Sequence, residues 1–481
     1  MNYKMTFYII GQIIRIEGIL MLLPLFIAIA NKEADFYSYL ISIILSVAAG
    51  TFLTLKKPEK TNLYAKEGLV IVGLSWVMVC LIGAIPFILS NDISGITDAI
   101  FEIVSGFTTT GSTILKDIER LSYSNLFWRS FSQWIGGMGI LVFVLALLPQ
   151  TEAQTMYVLR AEVPGPIVGK LVSKIRVTAR ILYAIYIAMT VMLLILYIIG
   201  GMPLFDSVIH SMVTAGTGGF SVKNNSVAFY NSLYIEVVTT IFMLLFGVNF
   251  NLYYALLLGH VKEIFNSEEL KAFLFIVAGS TLIITINIIN VFGNFGTALR
   301  YASFQVAAMI SSTGFFITDY NLWPDLSRAV LLLLMFLGAC AGSTGCGIKI
   351  SRVIILVKSA VSEIKRIIHP RSVAVVKSEN KKVESEIING AHTYFFVYMS
   401  IIAISVVLLS IDSFDFETYF TSVVAHINNV GPGFSAVGPV GNYHDYSAFS
   451  KWVLIFDMLA GRLEIFPVLI LFSPKTWRTK K

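Results

Sequence analysis

The sequence predicts an all-α polytopic membrane protein. Its core is four span–short helix–span repeats around a pseudo-fourfold axis, and two extra N-terminal transmembrane helices precede them. Three observations predict this. Of 481 residues, 56% are apolar or aromatic and 13% charged, about half the charge of an ordinary soluble domain. That excludes a sizeable aqueous domain. Apolar windows run along the whole chain, at roughly 7–30, 37–55, 69–90, 128–149, 178–200, 234–258, 270–292, 327–357, 393–411 and 451–473. Most reach the roughly 20 residues that a helix needs to cross hydrocarbon. Third, one sequence form recurs four times between these windows, which is the signature of an internally repeated fold.

Taken in order, the first two windows (1–60) stand outside the repeat. Repeat 1 (61–150) holds Ala99-Ile-Phe-Glu-Ile-Val-Ser-Gly-Phe-Thr-Thr-Thr-Gly111-Ser. Repeat 2 (151–260) holds Ser207-Val-Ile-His-Ser-Met-Val-Thr-Ala-Gly-Thr-Gly218-Gly-Phe. Repeat 3 (261–370) holds Ser303-Phe-Gln-Val-Ala-Ala-Met-Ile-Ser-Ser-Thr-Gly314-Phe, and repeat 4 (371–481) holds Ser422-Val-Val-Ala-His-Ile-Asn-Asn-Val-Gly431-Pro. Aligned on Gly111, Gly218, Gly314 and Gly431, the units lie 107, 96 and 117 residues apart, and each glycine follows a β-branched residue. An even number of windows puts both termini on one side. With that side cytoplasmic, inner segments carry 25 of the 35 Lys+Arg and outer segments 8, which obeys the positive-inside rule. The outer segments are net negative, a charge that would draw cations, although loops are polar in any case.

A re-entrant helix of about 12 residues is too short to cross and must return to its own side. Its non-helical tail is tolerable at membrane depth only where it lines a wet cavity. Glycine in that tail adopts φ values other residues resist, which turns successive carbonyls toward one axis. Four such tails make rings of oxygens able to replace a cation's water shell. The helix C-termini add partial negative charge at the same centre. The expected cation-binding residues are Thr109, Thr110 and Gly111; Thr217 and Gly218; Ser312, Thr313 and Gly314; and Asn429, Val430 and Gly431. The bland alternative is four loop helices with ordinary glycine caps.

At these residues the sequence resembles the Trk/Ktr/HKT superfamily of cation transporters, and within it the bacterial Trk-type potassium uptake membrane subunit. The resemblance covers nearly the whole chain. It extends to Gln133-Trp-Ile-Gly-Gly-Met-Gly-Ile140, Arg160-Ala-Glu-Val-Pro-Gly-Pro166, Gly338-Ala-Cys-Ala-Gly-Ser-Thr-Gly-Cys-Gly-Ile-Lys349 and Gly461-Arg-Leu-Glu-Ile-Phe466. Cys346 and Ala215-Gly216 depart from the family pattern. The two leading spans favour Trk over the shorter Ktr subunits. Glycine at all four filter positions argues for K⁺ over Na⁺. The resemblance implies a K⁺ pore in each protomer of a homodimer in the bacterial inner membrane, with both termini cytoplasmic. It also implies a cytoplasmic nucleotide-binding (RCK-type) regulatory subunit, and no organic cofactor on this chain.

Gly342, Ser343, Thr344, Gly345 and Gly347 would break a helix at mid-membrane, where freed backbone must face water or protein. The resemblance makes this segment a gate beneath the filter; a packing kink is the alternative. Neither it nor Gly216-Thr-Gly218 satisfies a phosphate-loop or dinucleotide pattern. Arg462 lies in the last window and needs a wet cavity or a partner, for which Asp457 and Glu464 are local candidates. In the family reading it sets a cation barrier and bonds to Ser343 and Thr344. Asn249 is expected in an interhelical hydrogen bond, and His210 and His426 in packing. The three cysteines form neither a disulfide framework nor a metal spacing. No residue grouping suits catalysis, and the basic residues gather on no nucleic-acid motif. Basic inner segments, notably Lys365, Arg366, Arg371, Lys377, Lys381, Lys382 and the C-terminal Lys475, Arg478, Lys480 and Lys481, suit membrane lipids or the regulatory subunit. A Na⁺- or H⁺-coupled secondary transporter is the rival. It would show inverted repeats and paired buried carboxylates.

Overall fold

The computed structural model describes residues 1–56, 58, 63–139, 175–370, 375–379 and 381–477. The Arg160–Pro166 motif, Ile140, the second half of the 128–149 window, Arg371 and the last three basic residues lie outside these. The described chain is mostly helical; its strands are two pairs of two residues each, Leu337–Gly338 with Ile348–Lys349 and Lys377–Ser378 with Lys381–Lys382.

The N-terminal hairpin consists of Tyr3–Leu20, continued by Leu22–Asn31, and Phe36–Thr54. In lipid, apolar helices associate through close van der Waals packing, which small residues permit. Gly11 and Gly50 meet so closely that a Cβ on Gly50 would lie 2.6 Å from the Gly11 carbonyl. The first spans of the four repeats are Ala65–Ser90, Ile175–Ile199, Glu268–Phe292 and Ser385–Leu409. Each leads to a short helix: Ile96–Phe107, Leu204–Gly216, Phe295–Ile310 and Phe416–Ile427. At 1.5 Å per residue none covers the roughly 30 Å of a bilayer core. Asp98, Asp206 and Glu417 sit in first turns, where the helix dipole favours negative charge.

Two of the second spans differ from the straight crossings expected, and a third breaks at the glycines that predict it. In repeat 1, Tyr123–Met138 runs to Gly139, the last residue described there. Leu233–Phe246 turns by 91° into Phe250–Leu257. Asp325–Phe336 stops at the loop 337–349 before Ile350–Ile368 begins. Ala448–Arg462 gives way to Phe466–Phe472 through Ile465, whose φ is 69°. So among the described residues six helices are long and apolar enough to cross alone, or seven with the bent pair, against ten windows. Window-averaged hydropathy runs straight through one or two glycines, an asparagine or a glutamate, whereas the backbone does not.

The repeats close a ring through side chains at their outer ends. Tyr123 of repeat 1 packs edge-on against Phe205 of repeat 2, with ring centroids 4.9 Å apart. Glu236 of repeat 2 pairs with Arg300 of repeat 3, and Arg328 of repeat 3 with Glu417 of repeat 4. Lys451 of repeat 4 reaches Asp98 of repeat 1 at 2.7 Å. At the opposite face the Tyr3 hydroxyl donates to the Trp477 carbonyl and Lys66 to that of Lys475 (3.0 Å), so both described ends share one side.

Candidate ion-conduction site

Each short helix ends in the same backbone turn. Thr109, Thr217, Ser312 and Asn429 are left-handed, with φ of 55°, 51°, 55° and 50°. The next residue's N–H reaches back to a carbonyl five residues earlier: Thr110 to Ser105 (2.9 Å), Gly218 to Val213 (3.0 Å), Thr313 to Ala308 (2.9 Å) and Val430 to Ala425 (2.8 Å). A positive-φ glycine follows: Gly111 (83°), Gly219 (79°), Gly314 (73°) and Gly431 (99°). Two left-handed residues flanking one ordinary residue cost an L-side chain at the second site, which is why glycine stands there.

This register corrects the sequence alignment in repeat 2. Gly219, not Gly218, is the counterpart of Gly111, Gly314 and Gly431, and Gly218 takes the place of Thr110, Thr313 and Val430. The reason lies in repeat 1. Gln133 fills the space where a side chain on Gly218 would stand, donates from Nε2 to the Gly218 carbonyl (2.7 Å) and accepts from the Phe220 N–H (3.2 Å). The doubled Gly218-Gly219 was the available signal, because counting from the short helix favours its second member.

The four loops touch in sequence. A Cβ on Gly111 would overlap the Gly218 carbonyl, one on Gly219 the Thr313 carbonyl, and one on Gly314 the Val430 carbonyl. A Cβ on Gly431 would stand 2.6 Å from the Thr110 carbonyl, which closes the circle. Backbone oxygens from all four repeats thus meet around one axis.

A second layer braces the ring from counterpart positions on the short helices. Glu102 is fully buried and accepts from Arg129 Nε (2.5 Å), Thr113 Oγ1 (2.9 Å) and the Ile114 N–H (3.0 Å). Arg129 stacks on Phe220 at 3.4 Å and donates to the Ser221 carbonyl. At Glu102's counterparts, His210 Nε2 meets Ser221 Oγ (3.2 Å) and Ser422 Oγ meets the Tyr446 hydroxyl (2.7 Å). His426 Nδ1 meets the Ser422 carbonyl. The cavity that opens above the glycines is lined by all four loops. Its charged residues are Lys116, Arg129 and Lys223, each paired with Asp445, Glu102 or Glu119. The negative character expected of the outer loops therefore does not line this cavity.

Beneath the ring lies the segment from Gly338 to Lys349. Cys340 N–H bonds to the Gly247 carbonyl (3.0 Å), Phe250 N–H to that of Gly342 (3.0 Å), and Thr344 Oγ1 to that of Phe246 (3.2 Å). It is thus stitched into the bend of repeat 2. Cys346 N–H donates to Ser312 Oγ (2.8 Å), which ties it to the inner end of the third loop. Gly345 lies beside Ala339 and the Ser311 carbonyl, and Gly347 beside Gly338. Arg462 donates to the carbonyls of Gly136, Gly137 (2.8 Å) and Thr344 (3.1 Å), to Cys346 Sγ (3.0 Å) and to Thr109 Oγ1 (3.4 Å). It caps the C-terminal carbonyls of Tyr123–Met138, where a cation meets negative dipole ends.

Several expected partnerships do not form. Asp457 accepts from Ser405 (2.8 Å) and Glu464 pairs with Arg352 (3.0 Å), so neither neutralises Arg462. Ser343 Oγ bonds to the Cys340 carbonyl, and Thr344 offers Arg462 its carbonyl rather than its hydroxyl. Asn249 caps Phe250–Leu257 through the Asn251 N–H (2.9 Å) instead of bridging helices. Among the described residues no group of three His, Cys, Asp or Glu could hold a metal.

The model of the TrkH cation transport protein family matches residues 37–479. The Trk system potassium uptake protein TrkH of Salmonella typhimurium is 35% identical, covering 99% of this chain and 100% of its own. The potassium uptake protein TrkI of Halomonas elongata is 31% identical, with coverages of 96% and 94%. The crystal structure of the potassium transporter TrkH from Vibrio parahaemolyticus superposes with a TM-score of 0.90 at 31% identity, covering 99% of this chain and 100% of that one. With a family model across most of its length and relatives above 30% identity over nearly all of it, the chain belongs to the TrkH family of cation transport proteins.

Proposed function

We propose that this chain carries potassium ions across the bacterial inner membrane through a pore on the axis of its four repeats. The observation that carries the reading is the closed circle of glycine-to-carbonyl contacts. Four backbones held at one spacing by their neighbours form a rigid ring of oxygens, and such a ring exchanges a cation's hydration for carbonyls with little reorganisation. The family's potassium-uptake members supply the ion. The filter residues are then Thr109–Gly111, Thr217–Gly219, Ser312–Gly314 and Asn429–Gly431.

In this reading the chain divides at about residues 60, 150, 260 and 370 into the leading hairpin and four pore units. Gly342, Ser343, Thr344, Gly345 and Gly347 form the gate, and Arg462 holds it while presenting positive charge below the filter. Both ends face the cytoplasm, two copies form a dimer, and the basic inner segments meet lipid headgroups and a nucleotide-binding regulatory subunit. Radioactive Rb⁺ uptake into proteoliposomes, with Na⁺ and Li⁺ competing, tests the pore. Saturable Rb⁺ flux that Na⁺ fails to inhibit is expected; equal inhibition by Na⁺ overturns potassium preference. Removing residues 342–346 raises passive flux if the segment is a gate, and leaves unit flux unchanged if it is a kink.

A further inference from the structure

The two ends of the intramembrane segment are held by one atom. Glu269, in the first turn of the first span of repeat 3, is 9% exposed. Its Oε1 accepts from the Ala341 N–H at 2.8 Å and from the Ser351 N–H at 2.9 Å. Ala341 lies three residues after the entering strand, and Ser351 is the second residue of the following helix. A carboxylate oxygen has lone pairs for both donors, and hydrogen bonds to a charged acceptor are the stronger kind. The helix N-terminus at Ser351 favours the same negative charge.

Its neighbour grips another element. Glu268 Oε2 accepts from Lys358 Nζ (2.6 Å) and from the Glu379 N–H (3.2 Å). Lys358 also donates to the Lys377 carbonyl (2.8 Å), and Ser267 Oγ to Glu379 Oε1 (3.2 Å). The hairpin strands Lys377–Ser378 and Lys381–Lys382 are thereby fastened to Glu268 and to Lys358, two turns into the helix that Ser351 starts. The lysines of that hairpin are exposed.

We infer that Glu268 and Glu269 form a two-sided clasp: Glu269 is a positioning residue that holds the ends of the intramembrane segment together, and Glu268 joins the basic hairpin to the same point. The inference rests on the gate reading above. Moving the hairpin would shift Glu268 or the helix bearing Lys358, and either shift loads the two bonds at Glu269. The hairpin is thus a handle on the segment, reached without any contact at the filter.

The test is Rb⁺ flux in proteoliposomes for the parent, Glu269→Ala, Glu269→Gln, Glu268→Ala, the Glu268→Ala/Glu269→Ala pair, and the protein lacking 342–346. Glu269→Ala should raise basal flux tenfold or more, with at most a small change in Rb⁺/Na⁺ preference, because Glu269 touches no filter residue. Glu269→Gln keeps an oxygen acceptor and should stay within about threefold of the parent. Glu268→Ala should raise flux about threefold, and the pair no more than Glu269→Ala alone, because a released segment no longer feels the hairpin. If Glu269→Ala fails to yield monodisperse protein, Glu269→Asp, one methylene short, takes its place. Parental flux in Glu269→Ala beside raised flux in the deletion overturns the clasp and leaves the gate standing. Parental flux in both overturns the gate and the clasp together. A Glu269→Gln protein as leaky as Glu269→Ala, or effects that multiply in the pair, also overturns it.

Discussion

Substituting each of the adjacent glycines of the second loop separates backbone geometry from sequence alignment. Gly219 has φ of 79°, and a Cβ there would overlap the backbone carbonyl of Thr313. An L-residue in the left-handed region costs about 1–2 kcal/mol, and forcing a methyl into packed surroundings adds about 1–3 kcal/mol. A backbone carbonyl cannot rotate aside as a side chain can, so the ring itself must open. Gly219→Ala should then cut Rb⁺/Na⁺ discrimination at least tenfold, about 1.4 kcal/mol. Gly218 has no positive φ, and a Cβ there would meet the side chain of Gln133. Gly218→Ala should also impair selectivity, but adding Gln133→Ala removes the obstacle. The double variant should recover most of the discrimination, short of the roughly 1 kcal/mol hydrogen bond to the Gly218 carbonyl. Adding Gln133→Ala to Gly219→Ala should recover nothing. The assay is Rb⁺ uptake under graded Na⁺, on protein of matched reconstitution. If Gly219→Ala keeps parental discrimination, or if removing Gln133 rescues it as well, the assigned register is wrong.

Arg462→Ala removes donors to five backbone or side-chain partners and should raise Rb⁺ flux severalfold while lowering thermal stability; a stable variant with parental flux denies it a place in the pore. Glu102→Gln leaves Arg129 charged, buried and without its carboxylate, which costs about 3–5 kcal/mol when one partner of a buried pair is lost; a thermal midpoint within a degree of the parent would count against the bracing layer. Asp117, in the outer loop of repeat 1, is held below the usual carboxylate range by the hydrogen bond from Asn224, then by the Glu119 N–H and Arg120. Its folded pKa is depressed, so its contribution is present above the ordinary carboxylate pKa and is lost as pH falls through the folded value. The gap in thermal midpoint between parent and Asp117→Ala should therefore exist at neutral pH and shrink on acidification below the ordinary carboxylate range; a gap independent of pH would refute this.

Much of this architecture is legible in the residues. Four recurrences of a short apolar helix ending in Thr-Gly or Val-Gly give the repeat and its axis, because no single-domain packing need explains the recurrence. The second loop shows the limit. Two glycines in a row leave the register open by one, and the side chain that settles it, Gln133, comes from another repeat about 85 positions away. The breaks in the second spans were visible only at Gly338–Gly347, where glycines are dense. At Gly247–Asn249 and Leu463–Ile465 the change is one or two residues inside strongly apolar runs. The residues near Arg462 in sequence that could pair with it are Asp457 and Glu464, whereas a guanidinium can be satisfied by helix-end carbonyls that carry no sequence signature. The charge of the outer cavity likewise depends on which lysines find carboxylates in space.

The outer ring of inter-repeat contacts has a consequence for how the chain assembles. Four look-alike units on one polypeptide invite errors: a unit could dock on the wrong neighbour, and the filter backbones, being nearly alike, would not object. The four joints are of three kinds, however. One is aromatic on aromatic, one runs acid to base, and two run base to acid, arginine to glutamate and lysine to aspartate. Exchanges between joints of different kind would set like charges together or strand a charge against a ring, and such repulsion adds to the specificity of the correct matches. The joints thus act as partial keys to circular order. Pseudo-symmetry at the axis, where equivalence serves the ion, is thus combined with asymmetry at the rim, where equivalence would be a hazard. Exchanging Glu236 with Arg300, which preserves that one joint, should be tolerated far better than reversing either charge alone.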